Sequence, residues 1–259
     1  MISWFEYQSI NAGFLKLNVW GIFVSLGFIV GMIVAYFELK KRKLDADRIY
    51  DLAFWIILSA LIGGRMFFVA EHLGFYSAAP LEILKLWHGG MSVYGGFFGA
   101  LLASIIYLKK YKLDFWQYAD AIVFGLPIGI FIGRLGCFFI HDHPGAKTDF
   151  FLGVNYPGGV RHDLGLYDAL LGLVIFLVFL FLHRRQWFSG FYLAAFAVCY
   201  GVVRFFLDFF RAEDLVGSDP RYFGLTLAQY LSIILSAGGI YLFYKLKSRN
   251  KAIKLIVKV

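Results

Sequence analysis

Three arginines lie inside long hydrophobic segments of this 259-residue sequence. Arg65, Arg134 and Arg204 are surrounded by Phe, Ile, Leu, Gly and Ala, so each lies at membrane depth if its segment crosses a bilayer. A charged side chain there is costly and usually faces the bundle interior or a water-filled cavity. Guanidinium is a forked donor suited to phosphate and carboxylate. The three arginines therefore predict a site for an anionic group, such as a phospholipid headgroup, unless each only extends to the membrane surface.

A titratable cluster follows the second of these arginines. His141, Asp142 and His143 come after Arg134, where the chain leaves its hydrophobic segment. They either exchange protons with a substrate or form a solvated turn at the end of a helix. A metal site is disfavoured because, apart from His162, no further Cys or His stands at a ligand spacing.

The third arginine belongs to a polar helix face. Tyr200, Arg204 and Asp208 recur every fourth residue, so they lie along one side of a helix, and Arg211 follows at its end. Asp208 either neutralises Arg204 as an internal ion pair or orients it toward a ligand. The spacing is compatible with both interpretations.

Two further segments are rich in glycine. Gly89, Gly90, Gly95 and Gly96 flank Met91–Tyr94 at the start of a hydrophobic segment. Free backbone N–H groups and the helix dipole favour an anion there, and glycine allows a ligand to approach the backbone. A second series has the small-xxx-small spacing of closely packed membrane helices. It consists of Gly125, Gly129 and Gly133.

The composition is that of a membrane protein. Hydrophobic residues make up 60 % of the chain, charged residues make up 16 %, and the mean hydropathy is +0.71. Apolar runs of about 20 residues can cross a bilayer as helices, and they lack the alternation of a barrel. The sequence predicts an all-α membrane protein, a seven-transmembrane helix bundle with short extracytoplasmic loops, forming one polytopic domain over 1–259. The predicted spans are 15–37, 49–70, 90–108, 116–139, 165–182, 189–210 and 224–244, with an exterior head loop at 140–164.

The basic residues predict the orientation of these spans. Sixteen of the 25 Lys and Arg residues fall in 38–48, 109–115, 183–188 and 245–259, and six fall on the opposite side. Loops rich in Lys and Arg usually lie in the cytoplasm, so we expect the N-terminus outside and the C-terminus inside. The three intramembrane arginines then all lie toward the outer leaflet.

Other site chemistries find little support in the sequence. Cys137 and Cys199 lie within predicted spans, where we expect small buried residues rather than a disulfide or a catalytic thiol. There is no CxxC, HExxH or P-loop pattern. The net charge of +8 reflects topology and affinity for anionic lipid, with no signature of nucleic-acid binding.

Several segments in a fixed order resemble one bacterial family. They are WHGGMSVYGGFFG (87–99), GRLGCFF (133–139), HDHPG (141–145), LYDALLG (166–172), YGVVRFFLDFFRAED (200–214) and GLTLAQYLS (224–232). Together they are similar to the prolipoprotein diacylglyceryl transferases over roughly residues 15–245, with seven spans in the same orientation.

The resemblance implies a reaction and its partners. These enzymes of the bacterial cytoplasmic (inner) membrane move the diacylglyceryl group of phosphatidylglycerol to the lipobox cysteine of a preprolipoprotein signal peptide. A thioether forms at the outer leaflet, glycerol phosphate leaves, and no cofactor or metal takes part.

The resemblance also implies roles for individual residues. Arg134 and Arg204 would bind and polarise the phosphate, Tyr200 would line the same cavity, Asp142 would stand in place of a family Glu, and Arg211 would help close the outer face. The other substrate-binding candidates are Arg65, Gly95, Gly96, Gly133, Asp208 and His162.

The sequence departs from the family at four places. Tyr94 stands where the family usually has His, and Cys137 where GRxGN is usual. Val19-Trp20-Gly21 replaces an early Trp-Tyr-Gly, and HDLGLYD (162–168) replaces HPTQLYE.

The first departure leaves two candidates for the base that activates the incoming thiol. Tyr94 has an ordinary pKa of about 10 and would need neighbouring arginines to act as a base. His141, His143 or His162 could take that role instead, and we favour a histidine because tyrosine is poorly matched to neutral pH.

Two other functions fit the same features. A divergent relative could transfer a phospholipid-derived group to another acceptor, and a non-catalytic membrane protein could bind or transport lipid. The absence of an apparent inverted repeat counts against a transporter.

The predicted topology can be tested by labelling single cysteines introduced at Asp149 and Ser248. A membrane-impermeant reagent should reach position 149 from the outside and position 248 only from the cytoplasmic side, because the basic loops mark the cytoplasm. Labelling of both positions from one side would rule out this orientation and the outer-leaflet site.

Overall fold

A computed structural model gives the fold, and it describes residues 1–13, 15–85, 88–215 and 218–256. Helices dominate the described residues. They are α1 (Val19–Lys41), α2 (Arg48–Glu71), α3 (Leu73–Ala78), α4 (Val93–Lys110), α5 (Phe115–Ile140), α6 (Leu164–Leu182), α7 (Phe191–Leu207) and α8 (Leu227–Ile256). Short 3-10 turns follow α3 at Pro80–Leu84 and α7 at Asp208–Phe210.

Six of these helices, all of them except α3 and α4, are long and apolar enough to cross a membrane. The expected all-α membrane protein is thereby confirmed. The 18-residue α4 is not among the six, and it ends in Lys109 and Lys110. The count of seven spans therefore stays a prediction.

Small antiparallel sheets join the helices, which the sequence did not predict. A hairpin pairs β1 (Ser9–Ala12) with β2 (Leu15–Asn18), so the first helix begins at Val19 rather than at residue 15. The predicted head loop contains a three-stranded sheet in the order β3 (Pro144–Lys147), β5 (Gly159–Asp163), β4 (Val154–Tyr156). A last pair joins β6 (Arg221–Tyr222) to β7 (Leu225–Thr226).

The chain forms two compact units, 1–38 with 119–259, and 39–118. In the smaller unit, α2 and α4 approach so closely that a Cβ on Gly95 would overlap the Gly63 carbonyl and the Phe67 side chain. The Ser92 N–H donates to the Gly64 carbonyl at 2.9 Å where α4 begins. Glycine here allows contact between helix backbones, which Cβ atoms would prevent.

In the larger unit, α1 packs on α5 through the predicted glycine series. A Cβ on Gly27 would lie 2.5 Å from the Gly129 carbonyl oxygen, and one on Gly31 would lie 3.1 Å from that of Gly125. These contacts hold the final turns of α5, which carry Arg134, against α1.

Replacing Gly27 by alanine should destabilise the protein, because the new methyl group overlaps a backbone carbonyl that cannot rotate away. Overpacking of this kind costs about 1–3 kcal/mol, measurable as a lower thermal unfolding midpoint in detergent. Gly238→Ala in α8 is the matched control, since nothing lies within 4 Å of its added Cβ. An equal effect of the two substitutions would contradict the proposed packing role.

Candidate active site

One buried carboxylate links two of the three intramembrane arginines. Asp168 lies in the second turn of α6, which begins where the Asp163 side chain accepts the Leu166 N–H at 2.9 Å. Its Oδ2 is 3.3 Å from Nη2 of Arg134, and its Oδ1 is 3.9 Å from Nε of Arg204. Asp168 therefore lies between the two arginines and holds them near one another.

A second buried carboxylate orients Arg204 from the other side. Asp208 Oδ1 lies 2.9 Å from Nη2 of Arg204 and 2.6 Å from Nε of Arg211. The Thr226 hydroxyl donates to Asp208, and Arg211 also pairs with Asp219. Asp208 has no exposed surface. The ion pair that the spacing of these residues suggested is present, and it fixes the direction of the Arg204 guanidinium.

The Arg204 guanidinium keeps one buried donor without a partner. Nη1 of Arg204 and Oδ1 of Asp168 are buried and have no hydrogen bond among the described residues. A buried, unsatisfied polar group costs roughly 1–3 kcal/mol, and more when it is charged. An anion that accepts a hydrogen bond from this nitrogen would remove that cost. The hydroxyl of Tyr200 interacts with Arg134 nearby and adds a further polar group.

Arg134 also faces a cleft of about 370 Å³. Apolar side chains form one part of its lining, and polar or small residues form the rest. The lining residues are Trp20, Val24, Ile130, Gly133, Arg134, Cys137, Asp142 and His143. The cleft therefore combines a surface for hydrocarbon with a cationic group, the two properties that a phospholipid requires.

A smaller cavity of about 210 Å³ shares Asp142 and His143 with this cleft. Arg211 and Asp219 lie on its far side. Asp142 and His143 are thus accessible from two directions.

The structure separates the predicted His-Asp-His cluster. His141 has a left-handed backbone (φ 50°), and its side chain is buried, with Nδ1 2.7 Å from Asp163 Oδ2. It stacks on Trp4 with ring centroids 4.7 Å apart. This burial removes His141 from both cavities.

His143 points the other way and pairs with Asp142 in the cleft. The hydrogen bond with Asp142 raises the pKa of His143 to about 9. A raised pKa means that the imidazole is protonated at neutral pH and loses its charge only near pH 9. In this state the ring donates hydrogen bonds, and it can accept a proton only after it has lost its own.

The third histidine lies apart from this pair. His162 on β5 is 2.7 Å from the Tyr167 hydroxyl through Nδ1, and burial lowers its pKa. It lines neither the 370 Å³ cleft nor the 210 Å³ cavity.

Two residues of the site were missed in the sequence. Asp168 was not singled out, although it is a charged residue inside the predicted span 165–182 and ends the HDLGLYD segment. Its arginine partners come from α5 and α7. Cys137 is buried as expected, but it also lines the cleft beside His143. The expectation that Cys199 is buried was wrong, since this residue of α7 is exposed.

The remaining predicted residues belong to the smaller unit. The guanidinium group of Arg65 donates five hydrogen bonds of 2.5 to 3.4 Å to backbone carbonyls, those of Glu82, Ile83, Lys85, Gly89 and Gly90. Arg65 therefore ties down this segment, and a contact with a headgroup stays a prediction. Tyr94 is half-exposed in the first turn of α4, and Gly95 and Gly96 face α2.

Comparison with known proteins identifies the family. Residues 8–245 match the family model described as prolipoprotein diacylglyceryl transferase. The chain belongs to this family. A Campylobacter curvus relative named phosphatidylglycerol–prolipoprotein diacylglyceryl transferase is 34 % identical over 90 % of each chain. Relatives of the same name are 30 % identical in Listeria welshimeri (92 % of this chain, 90 % of the relative) and 31 % in Ehrlichia canis (88 % and 92 %).

Membership of the transferase family and the arginine geometry predict a strong effect of Asp208→Asn. The substitution leaves the buried Arg204 and the half-buried Arg211 with too little negative charge. Removing one partner of a buried ion pair costs about 3 kcal/mol or more. We expect a lower unfolding midpoint and loss of transferase activity.

Asp45→Asn is the matched control. Asp45 pairs with Arg48 at 3.2 Å, and the side chains of both residues are exposed, at 52 and 37 %. Exposed pairs contribute little, so this variant should keep most of its stability and activity. Similar losses in both variants would refute a special role for Asp208.

Proposed function

We propose that this chain transfers the diacylglyceryl group of phosphatidylglycerol to the lipobox cysteine thiol of preprolipoprotein signal peptides. The sulfur attacks the glycerol carbon that bears the phosphate, the carbon–oxygen bond breaks, and its electrons pass to the phosphate. A thioether forms and glycerol phosphate leaves. The unpartnered Nη1 of buried Arg204 is the observation that supports this proposal most strongly.

The phosphate would lie between Arg134 and Arg204. Asp168 contacts both arginines, and Asp208 directs Arg204, so both guanidinium groups are fixed before the lipid arrives. Fixed donors stabilise the charge that develops on a leaving group without a cost of reorientation during the reaction. Tyr200 would add a hydrogen bond, and Arg211 would complete the outer side.

The lipid tails would leave through the apolar part of the cleft. Trp20, Val24 and Ile130 line it opposite Arg134, and Gly133 leaves space for the glycerol backbone. The acceptor thiol would approach Asp142 and His143 from the smaller cavity. Among the histidine candidates His143 is the one beside the phosphate site, whereas His141 is buried and His162 contacts Tyr167.

The remaining candidates belong to the other compact unit. We keep Arg65, Tyr94, Gly95 and Gly96 as proposed substrate-contacting residues of that unit. A role for Tyr94 as the base remains the alternative.

We further propose that the reaction occurs at the outer leaflet of the bacterial cytoplasmic membrane. The 16 basic residues of the cytoplasmic loops support an orientation with the N-terminus outside, and α4 would be the seventh span. The three-stranded sheet at residues 144–163 would then face the outside next to the site.

The function can be tested in cells depleted of this protein. Mass spectrometry of lipoproteins should then detect unmodified preprolipoprotein, which disappears when the wild-type gene is restored. Normal diacylglyceryl modification during depletion would exclude the proposed function.

Arg134→Lys should be nearly as harmful as Arg134→Ala in a transfer assay with phosphatidylglycerol and a lipobox peptide. Ammonium cannot bind a phosphate through two parallel hydrogen bonds. Loss of one such contact in a transition state costs roughly 2.7–4 kcal/mol, on the order of a hundredfold or more in rate. Lys16→Ala on the exposed β2 strand is a control for loss of a positive charge. Full activity of Arg134→Lys would reduce Arg134 to a membrane anchor.

A further inference from the structure

Two side chains hold the imidazole of His143 at the end of α5. Asp142 pairs with its Nδ1, and Cys137 forms a hydrogen bond with the ring. The left-handed backbone of His141 turns the chain after α5, which brings Asp142 and His143 back toward Cys137 in the last turn of the helix. No spacing in the sequence marks this arrangement, because the turn creates it.

We propose that His143 is the third cation of the phosphate site, a protonated imidazole that donates a hydrogen bond to the lipid phosphate held by Arg134 and Arg204. This role rests on the proposed transfer from phosphatidylglycerol, and it replaces the role of a base for His143. His143 and Arg134 line the same cleft, and Arg134 is close enough for its charge to act on the imidazole. A phosphate bound to Arg134 therefore lies beside the ring.

The ring has a donor to offer to this phosphate. A protonated imidazole has two N–H groups and no acceptor. Asp142 accepts the hydrogen bond from Nδ1, which leaves the other N–H to Cys137 or to a ligand. Sulfur is only a weak acceptor, whereas hydrogen bonds between ionised groups are roughly twice as strong as neutral ones. The lipid phosphate should therefore displace Cys137 from the ring.

The groups around the ring favour its protonated form. The hydrogen bonds with Asp142 and Cys137 raise the pKa of His143, whereas burial and the charge of Arg134 lower it, and the result is a pKa of about 9. Because the pKa is raised, the cation is present below pH 9 and is lost as the pH rises above this value. The ring is thus charged at neutral pH.

The ring should keep its proton during the reaction. The leaving group is a phosphate monoester, whose second pKa is about 6, so it does not take a proton from an imidazolium with a pKa of about 9. His143 instead stabilises the second negative charge that forms on the phosphate when the carbon–oxygen bond breaks. The acceptor thiol would lose its proton to solvent through the smaller cavity, where the pair of Arg211 and half-exposed Asp219 lies.

Binding of glycerol phosphate, the leaving group, tests this charge without the transfer reaction. Titration calorimetry of the full-length protein in detergent, from about pH 7.5 to 10, keeps the ligand dianionic and both arginines charged. The association constant of the wild type should fall about tenfold per pH unit above pH 9, because one linked proton is lost. His143→Gln should bind about tenfold to a hundredfold more weakly at neutral pH and should not show this fall.

Three further variants isolate the charge of His143. His143→Arg keeps a cation at every pH, so it should bind better than His143→Gln and without the fall. A thiol ordinarily ionises at about pH 8.5, so Cys137→Ser tests the sulfur as the source of the fall, and it should keep the fall. His72→Gln, at an exposed histidine of the smaller unit, should bind like the wild type. A fall that persists in His143→Gln, a fall that is lost in Cys137→Ser, or an Arg variant no better than the Gln variant would overturn the role of His143.

The transfer assay separates this role from the proposed function. The ratio of the wild-type rate to the His143→Gln rate cancels the ionisation of the acceptor thiol, which both proteins share. This ratio should be on the order of tenfold or more at neutral pH and should approach one above pH 9. A ratio that rises with pH would identify a base, and a constant ratio of one would show no role, so either result overturns the proposal. Absence of transfer by the wild type would instead refute the proposed function, whatever the binding result.

Discussion

Asp168 and Asp208 are the carboxylates on which the arrangement of the arginines depends. A guanidinium at membrane depth requires a negative partner. A partner that accepted hydrogen bonds from every N–H group would leave no donor for a ligand. Here Asp208 holds one edge of Arg204, and Asp168 lies between Arg204 and Arg134 at 3.9 and 3.3 Å. Arg65 shows the opposite case, because five backbone carbonyl contacts engage all of its donors. The same residue type thus serves binding in one place and chain anchoring in the other.

The helix packing makes this electrostatic arrangement possible. Gly27 and Gly129 bring α1 and α5 into backbone contact, and Trp20 and Val24 of α1 line the same cleft as Arg134 and Cys137 of α5. The three-stranded sheet then continues directly into α6, whose start is fixed by Asp163. Asp163 also accepts a hydrogen bond from Tyr156 and pairs with His141. One side chain therefore positions both α6 and the turn that carries Asp142 and His143.

The sequence predicted the helices well because length and apolar content determine a membrane span. It predicted Arg134, Arg204 and Asp208 because charge inside such a span is conspicuous. Contacts between distant segments left no local pattern, which is why the arginine partners of Asp168 and the pairing of Val154 with Arg161 were missed. Cys199 was misassigned for a different reason. Lipid and protein core are equally apolar, so hydrophobicity does not tell which face of α7 points inward.

The two site arginines differ in how they could enter the membrane during synthesis. Arg204 carries its counter-charge on the same segment, since Asp208 follows four residues later and lies 2.9 Å away. Arg134 has no such companion within several turns of α5, and the carboxylate nearest to it, Asp168, arrives with α6. An unpaired arginine is costly in hydrocarbon. The segments α5 and α6 are therefore best inserted together, as one helical hairpin, whereas α7 can enter alone with its charge already balanced.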